Sequence, residues 1–205
     1  MTNVTIIGAG NMGGAIAALV TAGGNAVQLL ARDASALATV SPTATVGSIG
    51  DAVTGDIVIL ALPYDAIAPV LAIYSGQLDG KVIVDLSNPL DFSTFDALVV
   101  PADSSAAQQI ALQVPGASVL KAFNTNFAAT LHSGQVGAEQ ATVLVAGDDA
   151  DAKSALAAVL ASSGLRVVDA GSLRRARELE ALGFLQLTLA AGEKTSWTSG
   201  FALAS

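Results

Sequence analysis

A glycine-rich turn directly after a short apolar strand constrains the fold of this chain more than any other feature. Val4 to Ile7 is a β-branched-rich run of the kind buried on both faces of a sheet, and Gly8-Ala9-Gly10-Asn11-Met12-Gly13 follows at once. The spacing matches G-x-G-x-x-G. Its first glycine permits a tight turn, its second lets a pyrophosphate approach the backbone, and its third lets the next helix lie close to the sheet. A helix ending at Gly23-Gly24 and a strand over 26–30 complete a predicted βαβ half-unit that binds a dinucleotide.

The end of the second predicted strand discriminates between NAD and NADP. The residue about 20 positions past the glycine motif normally contacts the adenosine ribose, and an acid there binds the two hydroxyls of NAD. Arg32 occupies this place, and its guanidinium can pair with a 2′-phosphate in a fork, which favours NADP. If the end of the strand is shifted by one residue, Asp33 would instead place a carboxylate near the ribose. Alternatively, Asp33 is the N-cap of a helix starting near Ala34.

Composition limits the possible partners and the compartment. The 205 residues are 52% hydrophobic, enough for one domain with a large core, and the net charge of -8 argues against nucleic acid or an anionic membrane as a partner. The chain has no cysteine, which excludes disulfides, a thiol nucleophile and a thiolate metal site. The apolar N-terminus lacks the basic residues of a signal peptide, so we expect a cytoplasmic protein.

Apolar runs and helical patterns alternate along the whole chain. This alternation predicts an α/β fold: a Rossmann-like, doubly wound, mostly parallel sheet with helices on both faces. We expect one NADP-binding domain over 1–205, in which residues 173–205 are a C-terminal helix and tail that serve the acceptor site or a subunit interface. Further strands are predicted at 56–62, 81–86, 118–123, 141–146 and 165–169, and helices at 64–74, 104–114, 149–163 and 173–191.

Candidate site residues follow the predicted strands, because ligands of such sheets bind outside the carboxyl ends of the strands. They are mostly small, amide-bearing or hydroxyl-bearing, and none is an obvious general acid, base or nucleophile. Hydride transfer fits such a site, since it needs two rings aligned at about 3–3.5 Å rather than proton chemistry. The candidate cofactor-binding residues are Gly8, Ala9, Gly10, Asn11, Met12, Gly13, Ala31, Arg32, Leu62, Pro63, Asn88, Pro89 and Asn124.

Six segments, in order, resemble the NADPH-dependent reductases of coenzyme F420, a family that also includes the cytoplasmic nucleotide-binding domain of the transmembrane ferric reductases. The resemblance implies an NADPH-dependent oxidoreductase with Ala9 to Met12, Ala31 and Arg32 as NADP contacts, and with Pro63, Asn88 and Asn124 near the nicotinamide. The segments are GAGNMGGAIA, ALPYDAI, VIVDLSNPL, LKAFNTNFA, VLVAGDD and GLRVVDAGSLRRARELEALGFLQL.

The identity of the hydride acceptor stays open at this stage. Archaeal members that reduce a deazaflavin place histidine, isoleucine and proline where this chain has Asn124, Asn126 and Phe127. The sequence of this chain at these positions is closer to that of the ferric reductase branch, whose second ligand is a flavin. Coenzyme F420, a flavin or another small acceptor, such as an imine or a carbonyl compound, are the alternatives. A non-catalytic NADP-binding sensor or subunit is a further alternative.

Several other features have competing interpretations. His132 is more typical of a surface residue than of a catalyst, and Asp148 to Asp151 are expected to cap a helix rather than bind a metal. Arg174 and Arg177 are expected to pair with Glu178 and Glu180, although these two arginines and Arg175 together also offer an anion site.

The C-terminal region suggests a partner surface. A wide apolar stripe on the last helix, over 179–189, predicts a core-facing element or the interface of a homo-oligomer, a homodimer or a tetramer. Trp197 and Phe201 are expected to fold over the cleft or onto a second subunit.

Overall fold

A computed structural model describes residues 1–33, 43–161 and 163–204, and their strands form one eight-stranded sheet with a small separate hairpin. The order across the sheet is β10-β9-β6-β5-β4-β1-β2-β3; β9 pairs antiparallel with β6, and the other pairs are parallel. The strands are β1 (Asn3–Ile7), β2 (Ala26–Ala31), β3 (Thr45–Ser48), β4 (Ile57–Leu60), β5 (Val82–Asp85), β6 (Ser118–Lys121), β9 (Thr142–Gly147) and β10 (Arg166–Gly171), and the hairpin is β7 (Gln135–Val136) with β8 (Glu139–Gln140).

Helices cover both faces of the sheet. The central strand β1 alternates between them: Val4 and Ile6 belong to one buried cluster, and Ile7 belongs to the other. Side chains of α1, α4 and α5 fill the first cluster, and side chains of α2 and α3 fill the second. The predicted Rossmann-like, doubly wound fold is therefore confirmed. The helices are α1 (Asn11–Ala22), α2 (Tyr64–Ile73), α3 (Ala106–Gln113), α4 (Ala128–Ser133), α5 (Ala150–Leu160) and α6 (Ala176–Ala191), with a 3-10 turn (Leu173–Arg175) before α6.

Parallel register brings the ends of five strands to one edge. Ile7 lies opposite Leu30 and Leu60, and Asp85 lies opposite Leu60 and Lys121. The residues that follow β1, β2, β4, β5 and β6 consequently meet at a single edge of the sheet, where ligands of this fold bind.

Short elements account for the differences between the predicted and observed secondary structure. The edge strand β3, the six-residue α4 and the β7–β8 hairpin were not predicted, whereas the longer strands and helices occur with their ends moved by a few residues. Asp149 caps α5 as expected, since its Oδ1 accepts from the backbone N–H groups of Asp151 (2.9 Å) and Ala152 (3.0 Å). The predicted helix near Ala34 lies outside the described residues.

Among the helices of the described ranges, none combines the length and the apolar character needed to cross a bilayer.

Candidate functional site

The first and third glycines of the motif are required by the packing of the turn. Gly8 has φ +108°, and a Cβ added there would lie 2.1 Å from the carbonyl oxygen of Ala61. A Cβ on Gly13 would lie 2.0 Å from the carbonyl oxygen of Gly8. Because neither space admits a side chain, the turn holds the start of α1 directly against the ends of β1 and β4.

Gly10 differs from these two glycines because it faces open space. A Cβ built on it has no atom within 4 Å, and its φ of -69° is accessible to any L-residue. Gly10 is the N-cap of α1; within the described part of the chain no side chain caps this helix, and its first turn holds no acidic residue. The open N–H groups and the positive end of the helix dipole make this point suited to an anion.

A first cleft beside the turn, which we call the arginine cleft, has a volume of about 430 Å³. The structure brings seven of the predicted site residues to its wall, and the exposed Arg32 and Asp33 stand at the end of β2. An anionic group reaching from the start of α1 toward β2 would meet the Arg32 guanidinium. The lining consists of Gly8, Ala9, Gly10, Ala31, Arg32, Asp33, Ile49, Ala61, Leu62 and Pro63.

A second cleft of about 380 Å³, which we call the amide cleft, adjoins the first through the consecutive residues Gly10 and Asn11. Among the described residues that line it, none carries a titratable side chain, and four are asparagines. It therefore offers apolar surface and neutral hydrogen-bonding groups rather than acid–base catalysts. The lining consists of Asn11, Met12, Leu86, Asn88, Phe123, Asn124, Asn126, Phe127, Ala128, Ala129, Leu187 and Trp197.

Hydrogen bonds of two asparagines connect the ends of β5 and β6 to α6 at the wall of the amide cleft. Asn88 Nδ2 donates to the carbonyl oxygen of Asn124 (2.9 Å), and Asn124 Nδ2 donates to Asn88 Oδ1 (3.0 Å) and to the carbonyl oxygen of Leu179 on α6 (2.7 Å). Gly183 permits this close approach of α6, because a Cβ there would lie 2.3 Å from Asn88 Oδ1. The wall is thus fixed by the packing of β5, β6 and α6.

Two amide oxygens at this wall have no hydrogen-bond partner among the described residues. They are Oδ1 of Asn124 and Oδ1 of Asn126, which belong to buried side chains. A buried acceptor left unpaired costs about 1–3 kcal/mol.

A buried ion triad lies in the protein beneath the wall. Lys121 Nζ contacts Asp85 Oδ2 at 2.7 Å and Glu180 Oε1 at 2.8 Å, and it donates to the carbonyl oxygen of Ser87 at 2.5 Å. All three charged side chains are at most 1% exposed. The ammonium therefore ties the ends of β5 and β6 to α6.

The triad also reaches the neighbouring helices. The Glu180 carboxylate accepts from the backbone N–H groups of Ala106 (2.9 Å) and Ala107 (3.3 Å) at the start of α3. Burial raises the pKa of Glu180, with Lys121 opposing the shift. Burial also raises the pKa of Tyr64, and the negative charges of Glu180 and Asp85 raise it further.

Some residues predicted from the sequence do not line either cleft or do not form the expected ion pairs. Gly13 and Pro89 are buried and do not belong to the described lining of either cleft. The expected pair of Arg177 with Glu180 is wrong, because Glu180 is buried against Lys121. Glu178 pairs with Arg175 at 3.3 Å rather than with Arg174.

Sequence reasoning missed the triad itself. Asp85 ends an otherwise apolar strand, Lys121 follows the apolar Val119 and Leu120, and Glu180 interrupts the apolar stripe of α6. A charge inside a buried pattern is the signal that could have identified them, since buried charges are paired. His132 is exposed, as expected, and lines a shallow groove next to Gly10 and Asn11.

Comparison with known proteins gives a consistent set of relatives. Residues 3–89 match a family model described as NADP oxidoreductase, coenzyme F420-dependent. The metalloreductase STEAP3 of Rattus norvegicus is 30% identical over 180 residues, which are 87% of this chain and 36% of that protein. The F420-dependent NADP reductase of Methanocaldococcus jannaschii is 30% identical over 132 residues, 62% of this chain and 59% of that protein. The chain thus spans only about a third to three fifths of these curated relatives.

A solved structure matches the full chain. A protein of Arthrobacter sp. FB24, described as a candidate F420-dependent NADP reductase, superimposes with a TM-score of 0.87 and 27% identity, and the match covers 100% of both chains. The fold is therefore shared with that protein.

Proposed function

We propose that this chain is a coenzyme F420-dependent type of NADP oxidoreductase and that it transfers hydride between NADPH and a flavin or deazaflavin acceptor. The observation that carries this proposal is the amide cleft, whose neutral walls adjoin the glycine turn. The same proposal includes one domain over 1–205 that acts in the cytoplasm as a homo-oligomer.

The residues around the glycine turn fit NADP. Gly10 leaves the space that a Cβ would fill, so the pyrophosphate can approach the open N–H groups at the start of α1. Arg32 stands in the arginine cleft, where its guanidinium would pair with the 2′-phosphate. On this assignment the nicotinamide extends past Asn11 toward Asn88 and Asn124.

The proposed reaction needs alignment more than proton chemistry. When bound, NADPH supplies a hydride and becomes NADP⁺, and the acceptor gains that hydride together with one proton from solvent. The chain would hold the two rings against each other in a cleft whose described lining has no titratable side chain. The Asn88–Asn124 pair fixes the wall against which the rings are held.

The shape and chemistry of the amide cleft support a flavin-like acceptor. A flavin or deazaflavin presents a flat apolar ring with N–H and carbonyl groups along one edge. The apolar residues Met12, Leu86 and Leu187 suit the ring.

An acceptor panel tests the proposal. We expect NADPH oxidation, followed by its absorbance, with at least one of coenzyme F420, FMN, FAD and riboflavin, and little oxidation with simple imines or aldehydes. Tight NADPH binding without reduction of any acceptor would instead favour the alternative of a non-catalytic NADP-binding sensor or subunit.

Gly10→Ala separates cofactor binding from folding. The added methyl group meets no protein atom, so the midpoint of thermal unfolding should not change, whereas it occupies the space proposed for the pyrophosphate. We expect NADPH affinity to fall by about tenfold or more, which is about 1.4 kcal/mol, as measured by titration calorimetry. Gly13→Ala is the matched contrast, because its methyl group collides with the Gly8 carbonyl and should lower stability itself. Unchanged NADPH affinity in Gly10→Ala would refute the assignment of the phosphate site.

A further inference from the structure

The chain after α6, residues 192–204, which we call the tail, returns to the amide cleft. Trp197 lines this cleft, and its indole packs on Phe127 with ring centroids 5.0 Å apart and an angle of 55° between the rings. Trp197 is the one tryptophan of the 205 residues, and it is 51% exposed. A large half-exposed ring at the mouth of a cleft leaves apolar surface that a ligand can cover.

Hydrogen bonds on both sides of Trp197 hold the tail in place. Before it, the backbone N–H of Lys194 donates to the carbonyl oxygen of Leu189 (2.8 Å). After it, the backbone N–H of Phe201 donates to Oε1 of the buried Gln186 (3.2 Å), and Arg166 Nη1 donates to the carbonyl oxygen of Leu203 (3.3 Å). The position of the indole is therefore set by contacts with α6 and β10 and by Phe127.

We propose that Trp197 is a specificity-determining wall of the acceptor site, against which a planar heteroaromatic acceptor stacks. This inference rests on the proposed function and names the feature of the acceptor that the tail selects. Aromatic rings prefer offset or tilted packing on other rings, and flat ligands gain binding from such faces. An acyclic carbonyl or imine substrate has no ring to place there. The tail consequently favours a fused ring system over small acceptors.

The direct test compares Trp197→Ala and Trp197→Phe. We expect Trp197→Ala to raise the KM for the flavin or F420 acceptor by about tenfold while the KM for NADPH stays unchanged. Trp197→Phe keeps an aromatic face and should restore most of the acceptor affinity. Phe201→Ala is the matched control, because this aromatic residue lies in the same tail and is not part of the described lining of the cleft. An acceptor KM that stays at the wild-type value in Trp197→Ala would overturn the proposal.

A binding measurement tests stacking on Trp197 without requiring turnover. In the wild-type protein saturated with NADP⁺, riboflavin should quench the tryptophan fluorescence in a saturable way, since the signal comes from Trp197 alone. A free tryptophan analogue measured in parallel corrects for absorption of light by riboflavin. If no acceptor in the panel is reduced, the proposed function fails, yet saturable quenching still supports a ring-binding wall at Trp197. Absence of quenching both by riboflavin and by every acceptor of the panel that is reduced overturns the wall.

Discussion

Lys121→Met should lower the free energy of unfolding by about 3–5 kcal/mol, the cost typical of removing one partner from a buried ion pair. The variant leaves the Asp85 and Glu180 carboxylates buried, close together and without their cation. For a chain of this size the loss corresponds to a fall of roughly 6–20 °C in the midpoint of thermal unfolding. Urea denaturation followed by circular dichroism measures the difference directly.

A surface pair provides the control for this variant. Lys153 contacts Asp169 at 2.8 Å, but the Asp169 side chain is 59% exposed, so Lys153→Met removes the same charge at a cost of about 0–1 kcal/mol. The double variant Lys121→Met with Glu180→Gln should recover part of the lost stability, because one of the two buried negative charges is gone. Equal stability losses in Lys121→Met and Lys153→Met would show that the triad does not stabilise the fold.

The deficit of Lys121→Met should depend on pH in a defined direction. Burial already raises the pKa of Glu180, and Lys121 opposes that shift, so removing Lys121 raises the pKa further. A carboxyl with a raised pKa in the folded state favours folding below its unfolded pKa, and this contribution is lost as the pH rises through the folded pKa. The variant should therefore be closer to wild type in stability at acidic pH than at pH 8. A deficit that grows on acidification would contradict this account.

The glycine turn and the edge of the sheet were predictable because their signals are local. Gly8 directly follows an apolar strand and Gly13 lies in the first turn of the next helix, and small or polar residues occur within two positions of the strand ends, so the doubly wound topology alone places these residues at one edge. The structure brings Arg32 to one cleft and Asn88 and Asn124 to the other. Their roles as cofactor contacts stay predictions.

The triad and the tail were less predictable because their contacts are made through tertiary packing. Asp85, Lys121 and Glu180 lie on three different elements, and each alone looks like an isolated charge beside apolar residues. The position of Trp197 depends on where α6 ends and on the side chain of Gln186, which no local pattern encodes. The same reasoning explains the error over Glu180, whose helical spacing from Arg177 suggested a surface pair.

Arg32→Ala should weaken NADPH binding by roughly 10- to 100-fold and leave NADH binding nearly unchanged. Charged hydrogen bonds of the kind proposed between Arg32 and the 2′-phosphate contribute about 1.5–3 kcal/mol, and NADH has no phosphate at that position. Arg32 is exposed in the arginine cleft, so its removal should not lower the stability of the fold. Titration calorimetry with both dinucleotides gives the ratio of affinities.

Two further variants make the test of Arg32 specific. Arg32→Lys keeps the positive charge but loses the planar fork, so its NADPH affinity should fall between those of the wild type and Arg32→Ala. Arg174→Ala removes an exposed arginine outside the described lining of both clefts and should leave both affinities unchanged. A weaker affinity in this variant would indicate that the arginines near the start of α6 bind the cofactor. Equal weakening of NADPH and NADH in Arg32→Ala would show that the guanidinium does not contact the 2′-phosphate. The neighbouring carboxylate of Asp33 would then become the candidate contact for the ribose, and the preference of the chain would shift toward NAD.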